Sequence, residues 1–231
     1  EMIKRHSCFS MVDVWETANE PGGLHEQEDQ MKLNQYLVEM VKGANAIGAT
    51  LCIGNFSNGA PPGLGNQGEP NWWPYYDALH EAEEHHYLGL HEYWGLGSVK
   101  EYMPWWVGRH GFVPSPIRIL ITECGFNSLV NQYTGTDEGW RLHMSVTEYI
   151  TQLGHYRDVL EGIGKAEAAF VFTHDYASAH WQSFDTKDLE GYIAALNAET
   201  GSVPLPEPSL PPERGDIEEW RNRILDDLQR V

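Results

Sequence analysis

Residues 117–126 read IRILITECGF: aliphatic and β-branched residues run to Ile121, then Thr122, Glu123, Cys124 and Gly125 bring in polar and conformationally free positions. The run is too short for a helix and ends in glycine, so it predicts a buried strand with its chemistry at the C-terminal end. Four other stretches share this form: MVDVWETANEP from Met11, TLCIGNFSNG from Thr50, YLGLHEYWG from Tyr87 and AAFVFTHDYA from Ala168.

Helical patterns lie between them. Gln30 to Ile47 places Met31, Leu33, Tyr36, Leu37, Met40, Val41 and Ala44 on one predicted face. Glu138 to Leu160 does so less cleanly through Trp140, Met144, Thr147, Tyr149 and Ile150, and Asp188 to Leu196 is a shorter candidate. Strands alternating with helices indicate βαβ crossovers, hence an α/β protein with a parallel sheet. Polar residues at the C-terminal strand ends favour a (β/α)8 TIM barrel, although an open doubly wound sheet gives the same alternation.

After Gly201 the sequence becomes VPLPEPSLPPERG, whose proline spacing predicts a stiff polyproline II linker. The expected organisation is a barrel domain over 1–200, a linker over 201–215 and a charged helix over 216–231. That helix would carry Ile217, Trp220, Ile224, Leu228 and Val231 along one stripe behind an Asp216 cap.

Composition narrows the partners. The chain has 231 residues, 41% hydrophobic, with nine tryptophans and eleven tyrosines, enough to bury a sizeable core. Its 15 basic and 34 acidic residues give a net charge of −19, which repels nucleic acid and anionic membranes and suits a neutral partner such as a sugar. Cys8, Cys52 and Cys124 are three widely spaced thiols, which imply neither a disulfide framework nor a zinc site. No apolar run approaches the roughly 18 residues of a membrane span, and Glu1 to Ser10 lacks the apolar core of a signal peptide.

The strand beginning at Met11 ends in W-E-T-A-N-E-P, residues 15–21, and the fourth ends in I-T-E-C-G-F, residues 121–126. Cleaving a glycosidic bond takes two facing carboxyls, one giving a proton to the leaving oxygen and one attacking or stabilising the anomeric carbon. Glu20 and Glu123, three strands apart at C-terminal strand ends, meet that requirement. The sequence here resembles, over residues 8–196, the clan of TIM-barrel retaining glycosidases, cellulase-like and β-glycosidase-like, whose fourth strand ends in Asn-Glu-Pro and whose seventh ends in a nucleophilic Glu.

The resemblance implies that Asn19 binds the sugar 2-hydroxyl, that Glu20 is the acid/base and that Glu123 is the nucleophile, without a metal or organic cofactor. It places H-E-Y-W, residues 91–94, on the sixth strand. Period-2 alternation turns His91 and Tyr93 inward there, with Tyr93 in reach of Glu123. Asn55 is a further candidate for substrate contact. The eighth strand would offer an aromatic platform from His174, Tyr176 or Trp181. The clan's first three strands have no counterpart ahead of Met11, so the expectation is a barrel truncated to strands four to eight, with an open flank at the Met11 strand. Self-association through that edge or through the C-terminal helix follows as an expectation, as does an extracytoplasmic location if the full-length enzyme degrades polysaccharide.

Other residues have plainer readings beside the functional ones. Trp72 and Trp73 follow the loop APPGLGNQGEPN and are candidates for sugar stacking, while Trp105 and Trp106 read as packing. Trp94, beside Tyr93, is the better cleft candidate. In H-E-A-E-E-H-H, residues 80–86, His80 and His85 stand five apart, which on a helix separates them by about 140° and argues against a shared metal. Cys124 reads as a small buried hydrophobe. Two geometric expectations complete the sequence reading: carboxyl groups roughly 5–5.5 Å apart, the spacing of a retaining pair, and a higher pKa for Glu20 than for Glu123.

Overall fold

The computed structural model describes residues 11–22, 24–62, 70–103, 106–128, 138–174 and 179–199. The expected linker and C-terminal helix lie outside the described residues.

Five strands form one all-parallel sheet: β1 (Trp15–Glu16), β2 (Leu51–Phe56), β3 (Tyr87–Trp94), β4 (Arg118–Phe126) and β5 (Ala166–Val171). Their spatial order is their chain order, and the sheet curls into a half-barrel. A doubly wound sheet reverses its strand order at a switch point, and no reversal occurs here, so that alternative falls.

Four α-helices are present among the described residues: α1 (Gln27–Asn45), α2 (Tyr76–Ala82), α3 (Val146–Ile163) and α4 (Glu190–Glu199). They follow β1, β2, β4 and β5. The β3–β4 connection instead carries two 3-10 turns, Val99–Tyr102 and Arg109–Phe112.

Helix α1 buries Gln30, Asn34, Leu37, Val41 and Ala44, so the buried stripe includes two amides. Met31 and Tyr36, expected on that face, are about half exposed. Both amides are bonded: Gln30 Nε2 donates to the Leu24 carbonyl, and Asn34 Oδ1 accepts from Ala78 N in the first turn of α2. An amide supplied by another helix thus caps α2, a seven-residue helix too short to stand out as a pattern. His86, from the histidine-rich stretch, is a buried structural residue: Nδ1 accepts from Leu51 N and the other ring nitrogen meets Asn45.

Helix α3 begins at Val146 rather than near Glu138. Ser145 and Glu148 form a reciprocal capping box, and Gly164 ends the helix at φ +69°, in the left-handed region that glycine enters freely. Trp140 lies outside it, in a 3-10 turn, and stacks on Tyr149 at 4.8 Å.

The core lies between the sheet and the helices. Leu51, Ile53, Leu88, Leu90, Ile119 and Ile121 meet Leu37 and Val41 of α1 and Leu153 and Val159 of α3 there. β2 and β3 are buried along nearly their whole length, whereas β5 alternates partly buried and exposed positions and β1 spans two residues. Among the described residues β1 pairs only with β2 and β5 only with β4, so both flanks of the sheet are open. No helix of the described residues is long and apolar enough to cross a membrane.

Candidate active site

Two local irregularities aim the site. β3 and β4 pair Leu90 with Ile121 and then His91 with Glu123, so β4 carries one residue more at Thr122. Such a bulge re-aims side chains at a barrel rim. Ile121 and Cys124 remain in the core, while Thr122 and Glu123 both bond to residues of the concave side. β2 also bulges between Ile53 and Phe56, where Gly54 and Asn55 take φ +85° and +39°.

Beyond β1 the chain bends through Glu20, which holds φ +47°, a value uncommon outside glycine. The bend puts the Glu20 carboxylate at the same sheet end as Glu123. His91 stands between them: Nδ1 lies 2.9 Å from Glu20 Oε1 and 3.4 Å from Glu123 Oε2. Tyr93 donates its hydroxyl to Glu123 Oε2 at 2.7 Å. One carboxylate oxygen of each glutamate and a ring nitrogen of His91 all lie within 4.8 Å of one another.

Exposure separates the two acids. The side chain of His91 is 1% exposed, that of Glu123 23% and that of Glu20 47%. The hydrogen bond from His91 holds Glu20 below the ordinary carboxylate range against the opposing effect of its partial burial. Burial pushes Glu123 up, helped by the charges of Glu20 and Glu16 and opposed by His91 and the Tyr93 bond. The order of acidities is therefore the reverse of the one expected from the sequence, because the nominal proton donor is the wetter group and has the shorter bond to His91. Burial and the adjacent Glu123 push the Tyr93 phenol well above its usual range, so it remains a donor.

The trio is also a possible ligand set for a divalent ion. The donor chemistry argues against it. His91 Nε2 is buried with no hydrogen-bond partner among the described residues, so a proton placed there, as metal ligation through Nδ1 demands, goes unsatisfied. A proton on Nδ1 instead faces the carboxylates.

The other sequence candidates divide clearly. Asn19 is exposed beside Glu20. Trp181 packs edge-on against Phe172 at 5.3 Å, and Phe172 packs edge-on against Tyr93 at 6.4 Å, so Trp181 reaches the site through one ring. His174 does not join it: it turns to Glu190 at the start of α4. Tyr176 lies outside the described residues, as do Cys8 and Trp105.

Trp94 is fully buried against Tyr149 and Tyr156 of α3, on the face opposite Tyr93, and is core rather than cleft. Trp72 is core as well, edge-on to Phe56 at 5.7 Å, whereas Trp73 is about half exposed. Trp106 lies over the Gly59 turn, where a Cβ would approach its ring to 2.8 Å. Asn55 has no exposed surface and spends its amide on protein atoms, so it is not a substrate contact.

Three contributors escaped the sequence reading. Asn58 brackets Tyr93, donating to its carbonyl and accepting from its N–H, each at 3.1 Å. Thr122 supplies the bulge, and Phe172 supplies the ring over Tyr93. None carries a local signature, since each works only through strand register. A cavity of about 500 Å3 between β5, α3 and α4 is lined by Cys124, Tyr156, Phe170 and Glu190 but by none of Glu20, His91, Tyr93 and Glu123.

Comparison with models of known families gives no match, and comparison with curated proteins gives none.

Proposed function

We propose that this chain carries the fourth to eighth β/α units of a TIM-barrel retaining glycoside hydrolase acting on a β-linked poly- or oligosaccharide. The observation that carries this reading is the convergence of Glu20 and Glu123 at one end of a parallel half-barrel, carboxylate oxygens within 4.8 Å, bridged by His91. Facing oxygens that close suit the roughly 5–5.5 Å carboxyl separation of a double-displacement pair better than the roughly 6.5–9.5 Å that seats a water for inversion.

In this mechanism Glu123 attacks the anomeric carbon while Glu20 protonates the departing oxygen; a water activated by Glu20 then releases the sugar. The Tyr93 bond occupies Glu123 Oε2 and leaves Oε1 as the attacking atom. Glu123, the drier acid, must be ionised, and Glu20, held ionised by His91, must be protonated. A sugar entering the cleft strips water from the half-exposed Glu20 and raises its pKa toward that requirement. Because the reacting form needs Glu123 ionised and Glu20 protonated, the pH profile of kcat/KM is expected to be bell-shaped.

The decisive experiment compares aryl β-glycosides with good and poor leaving groups. Glu123→Ala should abolish hydrolysis of both, while Glu20→Ala should spare activated substrates and cut unactivated ones by about 10²-fold or more. Equal losses on both substrates would refute the acid role of Glu20. Sugar binding by the wild type without any hydrolysis would instead favour a catalytically silent carbohydrate-binding protein.

A further inference from the structure

We infer that Asn55 is a positioning residue for Glu20: the amide and backbone of the β2 bulge lock the left-handed turn that presents the Glu20 carboxylate to His91. Two bonds make the lock. Asn55 Nδ2 donates to the Ala18 carbonyl at 2.8 Å, and the Asn55 carbonyl accepts from Glu20 N at 3.0 Å. Both Asn55 and Glu20 sit at positive φ, +39° and +47°, so two non-glycine residues in sparsely populated conformations are fastened to each other. Asparagine tolerates that region because its short amide bonds locally; glutamate has no such aid and relies on the partner.

The surroundings are shaped to hold this amide. Its Oδ1 meets Cys52 Sγ and Thr122 Oγ1, each at 3.4 Å, so one end is fixed by β2 and β4 while the other grips the Glu20 turn. Gly89 on β3 leaves the space: a Cβ there would stand 1.8 Å from Asn55 Oδ1 and 2.9 Å from Cys52 Sγ. Asn55 of β2 therefore ties the turn after β1 to β4 beside Gly89 of β3, and the bulge that supplies Glu123 also supplies Thr122, one of its anchors. Holding Glu20 at the His91 nitrogen costs less conformational freedom when the turn is already fixed, which is how a supporting shell contributes to a reacting geometry.

The catalytic consequence rests on the glycosidase reading; the structural one does not, and the test separates them. Carbon-13 NMR titration of the Glu20 carboxyl is carried out on the wild type and on Asn55→Gly, which removes the amide without adding charge and tolerates the φ. Gly89→Ala is the second variant: its methyl displaces Asn55 from Ala18 while leaving residue 55 intact, and it serves if Asn55→Gly does not fold. Glu20 is expected to lose its bond to His91 in either variant and to titrate at a higher pH than in the wild type. In parallel, kcat for poor leaving groups should fall about 10-fold or more, with little change for good ones and in KM. An unchanged Glu20 titration in a folded variant overturns the positioning role. Absence of hydrolysis by the wild type overturns the glycosidase reading alone, because the titration still decides this one.

Discussion

Glu123 is a carboxylate held where water reaches poorly, and a residue so placed works against the fold that holds it. Burial raises its pKa, and Glu20 and Glu16 add like charge. A carboxyl with a raised folded-state pKa binds its proton more tightly in the native than in the unfolded state. Its ionisation therefore lowers stability as pH rises from the ordinary carboxylate value through the folded value, and the full penalty stands above both. Glu123→Gln keeps an acceptor for Tyr93 and removes the charge. At pH 7 thermal denaturation should show it more stable by about 1 kcal/mol, a few degrees in Tm. The gain should shrink as pH falls toward the ordinary carboxylate range. A variant equal to wild type at pH 7, or a gain that grows on acidification, would contradict this account. At this scale the sequence was informative wherever alternation along a strand applied. His91 and Tyr93 were placed inward by it, and the same rule puts Trp94 outward, a consequence that its position at a strand end obscured. Asn55 was legible as a polar strand-end residue, but only the bulge, which alternation does not foresee, distinguishes gripping the Glu20 turn from touching a ligand.

β3 shows how one strand serves two purposes. Its concave side presents His91 and Tyr93, and its convex side buries Glu92, which accepts from Gly108 N, from His110 N and Nδ1, and from the Tyr156 hydroxyl. Burial alone would raise Glu92; His110 and these bonds instead hold it below the usual range. The β3–β4 connection has no α-helix among the described residues, and Glu92 does the fastening, tying the Arg109–Phe112 turn and α3 to the strand. Glu92→Gln should therefore destabilise by about 3–5 kcal/mol, the cost of breaking a buried, fully bonded ionic group, and Tyr156→Phe by about 1 kcal/mol. Urea denaturation checks both, and a Glu92→Gln midpoint equal to wild type would show that the connection is held by other contacts. The five strands were readable because β-branched runs ending in polar residues are a local pattern. Helix α2 and the 3-10 turns were not, since seven residues capped from another helix and short turns anchored on a buried carboxylate take their order from distant partners.

At the scale of the molecule, an open half-barrel and a large negative charge act in opposite directions. β5 has no neighbour beyond β4 among the described residues, its burial is incomplete, and Phe170 is 55% exposed along it. An unpaired strand edge with an exposed aromatic favours pairing with another copy. The net charge of −19 opposes close approach of like molecules. Which effect prevails depends on ionic strength. Charge repulsion is felt over about 30 Å at 0.01 M salt and about 8 Å at 0.15 M, whereas apolar contact is insensitive to this screening. Sedimentation velocity of the 231-residue chain should therefore show dispersed monomer at low salt and concentration-dependent association as salt is added. Phe170→Glu, which replaces the exposed ring with another negative charge at the edge, should suppress that association while leaving the Glu20 and Glu123 geometry intact. Association that weakens with added salt would assign the contact to ion pairs instead, and a monomer at every salt concentration would show that the β5 edge is already protected.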